Sequence, residues 1–250
     1  MPVPSVFLSP STQHFNLYVN GGNERYYMNQ IADRMEPYLF SSGIIFSRNN
    51  PNLDFRAAIA ASNAGNYCVH FSIHSNAAGP GREGQVRGSE MYYCPQCAES
   101  RRLAVITANN MKYIYPDPSR VRIVPTTTLG EVVNTRAVAI LAEVAYHDNI
   151  EDAQWIKDNL DEIAVVLVQA LCDYCGVLFT EAGPVFFGRA VTGGGNLNIR
   201  QRPSVSSRIL GIIPNGASGI RIIGRAGNWY AVRFNNISGY ASADFIEKNE

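Results

Sequence analysis

One pattern constrains the fold of this chain more than any other: short apolar runs alternate with stretches of helical period through the first 178 residues. In the first such stretch Met28, Ile31, Met35 and Leu39 recur at steps of three and four residues, as on one face of a helix. Strands that alternate with helices form a mostly parallel, twisted sheet with helices on both faces, so the predicted fold class is α/β. The predicted strands lie near residues 4–8, 43–47, 67–74, 88–93, 121–124 and 138–144, and the predicted helices near 23–40, 54–64, 97–114 and 150–175.

Three residues are expected to mark helix ends. Asn23 has the side chain of an N-cap and precedes the first helical stretch. Pro37 lies late in that stretch and is predicted to end or kink the helix, because proline lacks the backbone N–H that a helix interior needs. Gly176 follows the last apolar helix and is expected to stop it.

The pattern changes after residue 179. From about residue 185 onward there is no helical period, and short strand-like runs are separated by Gly, Asn and Pro. Such closely spaced strands are typical of a small all-β barrel. We therefore predict a first domain over residues 1–179, a linker over 180–190 and a barrel domain over 191–250.

Composition excludes several classes of partner. The 250-residue chain has a net charge of zero, so nothing favours nucleic acid or an anionic membrane surface. No apolar run reaches the roughly 20 residues that span a bilayer. The N-terminus lacks a basic region followed by a long apolar one, so no signal peptide is expected. We expect a protein that stays in the cytoplasm until lysis or another route releases it.

The cysteines predict ordinary reduced thiols. Their number is odd and no signal peptide precedes them, which argues against a disulfide framework. Two pairs have C-x-x-C spacing, but about 75 residues separate the pairs, far more than in a zinc ribbon. We interpret both pairs as structural rather than metal-binding. The five residues are Cys68, Cys94, Cys97, Cys172 and Cys175.

Chemistry-bearing side chains stand at the ends of predicted elements. The apolar run 68–73 ends on His74, and Glu143 closes the apolar run 138–142. Glu24 falls in the first turn of the first helix. Ligands bind outside the carboxyl ends of parallel strands, and zinc hydrolases use histidine and carboxylate ligands with a further carboxylate as proton carrier. Glu24 can instead complement the helix dipole and His74 can be simply hydrogen-bonded, whereas a buried Glu143 has no comparable structural explanation.

Three segments give this chain a resemblance to a known family. Residues 21–24 read Gly-Gly-Asn-Glu, residues 72–77 read Ser-Ile-His-Ser-Asn-Ala, and residues 142–149 read Ala-Glu-Val-Ala-Tyr-His-Asp-Asn. Over residues 3–178 the chain resembles the zinc-dependent N-acetylmuramoyl-L-alanine amidases of the amidase 3 type. These enzymes cut the amide between the lactyl group of muramic acid and the L-alanine of the peptidoglycan stem peptide. The resemblance implies that Glu24 and His74 bind Zn²⁺ and that Glu143 is the catalytic acid/base.

The resemblance fails at the first zinc ligand. The family takes this histidine from a Gly-His-Gly turn after its first strand, whereas here the chain reads Ser-Pro-Ser-Thr-Gln-His over residues 9–14. We expect His14 to be the first ligand, with Gln13 or water as the alternatives. His70 precedes His74 by four residues and is interpreted as a core or supporting histidine.

Three residues are candidates for substrate binding. Asn76 follows His74 at the end of the same strand, and His147 follows Glu143 in a turn. Arg136, ahead of the Glu143 strand, could meet a substrate carboxylate. The structural alternative for the arginine is a solvated surface position, and for His147 a role within the turn.

The last part of the chain resembles a bacterial SH3-like (SH3b) domain. The segments that carry the resemblance are 196–204, Asn-Leu-Asn-Ile-Arg-Gln-Arg-Pro-Ser, together with 228–232 and 239–241. Such domains commonly bind cell-wall peptidoglycan, which implies a glycan strand and stem peptide as partner. Trp229 and Tyr240 are aromatic candidates there, and for Trp229 we favour a place in the barrel core. A chain truncated near residue 180 is expected to keep its zinc and its activity on soluble fragments.

Two other functions remain as hypotheses. One is a non-catalytic peptidoglycan-binding protein on a degenerate amidase fold, which the missing Gly-His-Gly turn motivates. The other is a different zinc peptidase or deacylase on a related scaffold. A phage endolysin, a sporulation or germination enzyme and a housekeeping hydrolase are all compatible with the amidase prediction.

Overall fold

A six-stranded mixed sheet forms the centre of the first domain in the computed structural model, which describes residues 3–249. Four of its five strand pairings are parallel, and only the pairing of the fourth strand with the sixth is antiparallel. The predicted mostly parallel α/β fold is therefore confirmed. The strands are β1 (Ser5–Pro10), β2 (Ile45–Arg48), β3 (Val69–Asn76), β4 (Ser89–Tyr93), β5 (Val121–Pro125) and β6 (Val138–Tyr146), in the order β2-β1-β3-β6-β4-β5.

Helices cover both faces of this sheet. On β1 the side chains of Val6 and Leu8 enter the main core, whereas Phe7 packs on the other face with Ala58 and Tyr67. This alternation is the period of two that a strand imposes. The helices are α1 (Glu24–Ser41), α2 (Phe55–Gly65), α3 (Ala98–Met111), α4 (Gly130–Val133), α5 (Ile150–Asp158) and α6 (Leu160–Cys175). Helices α1 and α3 pack against α6, and α2 packs against α4.

The C-terminal part is a seven-stranded antiparallel sheet. Its first strand lies inside the stretch predicted as a linker, and it pairs with two later strands. Half of the ten buried side chains in the barrel's own core are isoleucines, and Ile220 and Ile222 show the alternation along one strand. The strands are β7 (Phe186–Ala190), β8 (Leu197–Arg200), β9 (Ile209–Ile213), β10 (Ile220–Ala226), β11 (Trp229–Phe234), β12 (Ile237–Ser242) and β13 (Ile246–Lys248), in the order β13-β7-β10-β11-β12-β8-β9.

The barrel packs directly against the first domain. Strand β12 packs along β2, which is the edge strand of the first sheet, and β10 packs against α1. Ile223, Ala231 and Tyr240 of the barrel belong to the same core as the residues beneath α1. Tyr240 is thus buried in the shared core, whereas Trp229, for which a place in the barrel core was predicted, is only partly buried and packs against the shared core.

A buried charge network joins the two parts. The side chains of Glu36 on α1 and Arg48 on β2 are fully buried, with Arg48 Nη1 3.3 Å from Glu36 Oε1. From the barrel, Arg221 Nη1 lies 2.8 Å from Glu36 Oε2, and Ser238 Oγ donates to Glu36 Oε1 at 2.7 Å. Because each carboxylate oxygen has partners, the buried charge of Glu36 is compensated from both sides of the contact.

Pro37 was expected to end or kink the first helix, and the prediction that the helix ends there is wrong. Helix α1 runs on to Ser41 with Pro37 inside it. Proline removes the hydrogen bond to the carbonyl four residues earlier, which is that of Asp33. Arg221 of the barrel donates from Nη2 to this carbonyl at 2.8 Å. The vacant acceptor is therefore satisfied by a residue 188 positions further along the chain.

None of the helices in the described residues 3–249 is both long enough and apolar enough to cross a membrane. The five cysteines are free thiols, and Cys97 accepts a hydrogen bond from the backbone N–H of Ser100 as the N-cap of α3.

Candidate active site

His74 and Glu143 stand side by side on neighbouring strands. Strands β3 and β6 run parallel, and these two residues are partners in the register. Helix α1 begins at Glu24, and the N-cap Asn23 accepts from the backbone N–H of Tyr26. The carboxyl ends of the strands and the start of α1 therefore bring an imidazole and two carboxylates together at one edge of the sheet.

Glu24 binds one ring nitrogen of His74. Glu24 Oε1 lies 2.8 Å from His74 Nδ1, and Asn16 Nδ2 donates to Glu24 Oε2 at 2.6 Å. Burial raises the pKa of the Glu24 carboxyl, but the hydrogen bond and the charge of His74 outweigh it and hold the pKa below its ordinary value. Burial lowers the pKa of His74, yet its carboxylate neighbours raise it well above the usual range. The two groups form a buried ion pair when no metal is bound.

Glu131 binds the other ring nitrogen of His74, and sequence reasoning missed it. Its Oε2 lies 3.3 Å from His74 Nε2 and its Oε1 3.2 Å from His70 Nε2. Ser9 Oγ also donates to Oε1. Burial raises the pKa of Glu131, but the hydrogen bonds from His70 and His74 outweigh it, and the pKa lies well below its ordinary value. The available signal was a carboxylate in the apolar segment 129–133, the same kind of signal that singled out Glu143.

Glu143 lies partly buried beside this pair. Among the described residues nothing forms a hydrogen bond with its Oε2. The pKa of Glu143 is raised to about 8: burial raises it most, the charge of His74 lowers it, and the charges of Glu24 and Glu90 raise it. An unpartnered buried carboxyl costs stability, so this arrangement is typical of a functional group rather than a structural one.

A cleft of about 530 Å³ opens over these residues. Its walls combine apolar side chains with a ring of polar ones, as is usual for a small-ligand site. Glu143, Glu131 and His74 lie at its floor. The remaining lining residues are Ser9, Pro10, Thr12, Gln13, Phe15, Asn49, Asp54, Phe55, Arg56, Thr128, Leu129, Gly130 and Leu141.

Gln13, rather than His14, points to the centre of the site. The side-chain nitrogen of Gln13 lies 3.4 Å from His74 Nδ1, and its oxygen accepts from Asn16 Nδ2 at 3.1 Å. His14 is exposed and packs edge-on against Phe15, with ring centroids 5.6 Å apart. The structure thus brings Glu24, His74 and Glu143 together with Gln13 and leaves His14 at the surface.

The three candidates for substrate binding do not line the cleft within the described chain. Asn76 Nδ2 donates to Glu90 Oε2 at 3.1 Å. His147 is buried, with Nδ1 2.7 Å from the carbonyl oxygen of Ser75, so it supports the strand end from behind. Arg136 is exposed and precedes β6 by two residues, about 20 Å along the strand from Glu143 at roughly 3.3 Å per residue.

The donor set meets part of what a zinc ion needs. In residues 3–249 no three His, Cys, Asp or Glu side chains form a group that could hold a metal. Glu24 and the Nδ1 edge of His74 supply one carboxylate and one imidazole, both usual zinc ligands. The amide of Gln13 stands at the same edge, with its nitrogen toward His74 Nδ1 and its oxygen held by Asn16, so it would have to leave Asn16 to offer that oxygen to a metal. Two ligands fit directly, and a third is at hand.

Comparison with known families identifies both parts of the chain. Residues 13–173, well over half of the chain, match the N-acetylmuramoyl-L-alanine amidase family, and residues 195–247 match the bacterial SH3 domain. A search of curated proteins found no match. Both resemblances seen in the sequence are confirmed.

Solved structures share the fold at low sequence identity. An amidase named AmiC2 of Nostoc punctiforme has a TM-score of 0.62 at 16% identity, over 69% of this chain and 97% of that one. An amidase of Clostridium difficile 630 has a TM-score of 0.59 at 18% identity, over 70% and 98%. The catalytic domain of the CD27L endolysin that targets Clostridia difficile has a TM-score of 0.56 at 16% identity, over 68% and 97%.

The fold and the buried site define a peptidoglycan hydrolase. The chain belongs to the N-acetylmuramoyl-L-alanine amidase family and carries a bacterial SH3 domain behind its catalytic part. The predicted activity, hydrolysis of a peptidoglycan amide, and the predicted enzyme class are confirmed. Peptidoglycan is accordingly the implied substrate and the cell wall the implied place of action. Enzymes of this family are generally zinc-dependent.

Proposed function

We propose that this amidase uses zinc, held by Glu24 and His74, and that Glu143 carries the proton in cleavage of the bond between the lactyl group and L-alanine. The observation that supports this most is the position of Glu143. It lies partly buried at the floor of the cleft, in register with His74, and its buried Oε2 has no partner among the described residues.

Three residues would hold the ion. Glu24 Oε1 and His74 Nδ1 already face one another, and the amide oxygen of Gln13 would complete the set, with water as the alternative. Carboxylate and imidazole are common zinc ligands, and catalytic sites keep one position open. Zinc bound there would supply a Lewis acid beside the scissile carbonyl.

Glu143 would act first as base and then as acid. Its carboxylate takes a proton from the attacking water and delivers it to the nitrogen of L-alanine as the amide bond breaks. A pKa raised to about 8 by burial suits both steps near neutral pH, because the group gains and loses its proton with little energy. Phe15, Phe55 and Leu129 line the cleft with apolar surface that a bound substrate would cover.

The barrel would bind the wall polymer. A groove of about 270 Å³ on its surface is lined by Trp229, which is half-buried, and by Asn196, Asn198 and Phe245. An aromatic face bordered by amides suits sugar or peptide ligands. Replacing Trp229 by Ala would reduce binding to purified sacculi, whereas Ile212→Ala, at an exposed barrel residue outside the groove, would leave it unchanged.

The experiment uses the full chain and purified muropeptides. We expect release of a free lactyl carboxylate and a new alanine N-terminus, abolished by a chelator and restored by zinc. Glu143→Gln should lower the rate by about 10²–10⁴-fold, the usual contribution of a general acid/base. Glu162→Gln, which removes an exposed carboxylate on α6, should leave it unchanged.

The opposite results would favour other functions. An intact rate in Glu143→Gln would contradict the role of that residue. Absence of both products and bound zinc would support the non-catalytic wall-binding alternative, which the exposed position of His14 motivates. Cleavage at a different bond of the stem would support another zinc peptidase.

A further inference from the structure

We infer that Glu131 is a positioning residue: it holds the Nε2 hydrogen of His74 and so turns Nδ1 toward Glu24 and the metal. The inference rests on the proposed zinc site. It concerns a residue outside the three segments that carry the family resemblance.

The imidazole ring separates the two carboxylates. Its nitrogens diverge, so a single ion cannot bind one nitrogen together with a carboxylate that stands at the other. Glu24 Oε1 is 2.8 Å from Nδ1, and Glu131 Oε2 is 3.3 Å from Nε2. One of the two carboxylates is therefore a ligand and the other an orienting partner of the histidine.

The other candidate zinc ligands lie at the Nδ1 edge of His74. The amide of Gln13 is 3.4 Å from Nδ1, and Asn16 holds the second oxygen of Glu24. An ion at this edge would meet a carboxylate, an imidazole and an amide that are already in contact. At the Nε2 edge of His74, Glu131 is the only hydrogen-bond partner among the described residues.

Glu131 is fixed by partners that leave it no free oxygen. Oε1 receives hydrogen bonds from Ser9 Oγ and His70 Nε2, while Oε2 faces His74. Ser72 Oγ lies 3.1 Å from the same nitrogen of His70. Glu131 is 5% exposed, and these contacts tie it to β1 and β3 at once. A carboxylate anchored in this way sets the ring orientation and the tautomer of the histidine it faces.

The first test measures zinc affinity by competition with a chromophoric chelator, on the full chain. Loss of an orienting carboxylate typically weakens metal binding 10–100-fold. Glu131→Gln, which keeps the volume of the side chain, should fall in this range. Glu24→Gln, which removes a ligand, should weaken zinc binding by more than Glu131→Gln, and Glu162→Gln should match the wild type. Circular dichroism would confirm that each variant is folded.

A second test needs no variant. In ¹⁵N-labelled, zinc-loaded wild type, long-range ¹H–¹⁵N spectra should show His74 with its hydrogen on Nε2. A hydrogen on Nδ1, with the metal on Nε2, would overturn the inference.

The affinities have three further outcomes that overturn it. If Glu131→Gln bound zinc more weakly than Glu24→Gln does, Glu131 would be the ligand. If Glu131→Gln weakened zinc binding by less than tenfold, Glu131 would have no positioning role. Absence of zinc from the wild type would contradict the proposed zinc site as well, so failure of the larger proposal is distinguishable from failure of this one.

Discussion

Arg221 Nη2 donates to the main-chain carbonyl of Asp33 at 2.8 Å, at the turn of α1 where Pro37 provides no N–H. A residue of the barrel thereby completes a helix of the catalytic domain. The same guanidinium also binds Glu36, which is fully buried. Because α1 begins at Glu24, the barrel braces the helix that carries a proposed zinc ligand.

Arg221→Met should destabilise the protein by about 2–3 kcal/mol, because it leaves the Asp33 carbonyl and part of the buried Glu36 carboxylate without a donor. Urea unfolding of the full chain measures this. The matched control is Arg189→Met, which breaks the exposed pair with Glu247 and should change stability by less than about 0.5 kcal/mol. Equal losses of unfolding free energy in Arg221→Met and Arg189→Met would mean that Arg221 does not stabilise α1.

Gly224→Ala should reveal the tight contact between the barrel and α1. A Cβ at Gly224 would overlap the ring of Phe40, so the ring or the barrel must shift. We expect a loss of about 1–3 kcal/mol. In a Phe40→Leu background the same substitution should cost clearly less, because the smaller side chain leaves room. Gly195→Ala, with nothing within 4 Å, is the control in the barrel, and a cost independent of residue 40 would contradict the docking.

The pH dependence of stability should report the burial of Glu143. With its pKa raised from the ordinary 4.5 to about 8, the folded protein keeps a proton that the unfolded chain releases. The resulting stability is fully present below about pH 4.5 and is lost as the pH rises to about 8. The glutamine of Glu143→Gln cannot ionise. The free energy of unfolding of this variant, relative to that of the wild type, should therefore rise between about pH 4.5 and pH 8. Chemical denaturation in the presence of a chelator measures the free energy of unfolding at each pH. Glu162→Gln is the control and should show the same pH dependence as the wild type. The same pH dependence in Glu143→Gln would refute the prediction.

Gln13 and His14 make opposite predictions for the third ligand. Because Gln13 stands beside His74 Nδ1 and His14 is exposed, Gln13→Ala should weaken zinc binding and His14→Ala should not. Metal content after dialysis against a weak chelator gives the answer. Zinc lost from His14→Ala but kept by Gln13→Ala would restore the ligand expected from the sequence.

Local patterns were sufficient for most of the fold. Every strand of the first sheet lies within two or three residues of its predicted range, because buried apolar runs and helical spacing are properties of neighbouring residues. Helix α4 was missed because four residues are too few to show a period. The predicted helix 150–175 is two helices, which Asn159 separates as the C-cap of α5 and N-cap of α6.

Contacts between distant segments were not accessible in this way. The strand end of His74 was visible in the sequence, but its pairing with Glu131 depends on how α4 folds onto β3. The same holds for Arg221 and Asp33, whose contact explains why Pro37 does not end α1. A displaced histidine next to the expected ligand position drew attention to His14, although only the turn geometry decides which side chain faces inward.

The position of the barrel has a consequence for the behaviour of the enzyme in solution. The edge of a sheet offers unpaired N–H and C=O groups to any other strand, and proteins protect such edges. At one edge β5 carries the charged Arg122 and ends at Pro125, both of which discourage pairing. At the other edge β2 has largely buried apolar and polar side chains, and the packing of β12 covers it. A chain truncated before the barrel would therefore expose the unpaired edge of β2 to other chains. Self-association through this edge would limit the use of the isolated catalytic domain as a lytic enzyme.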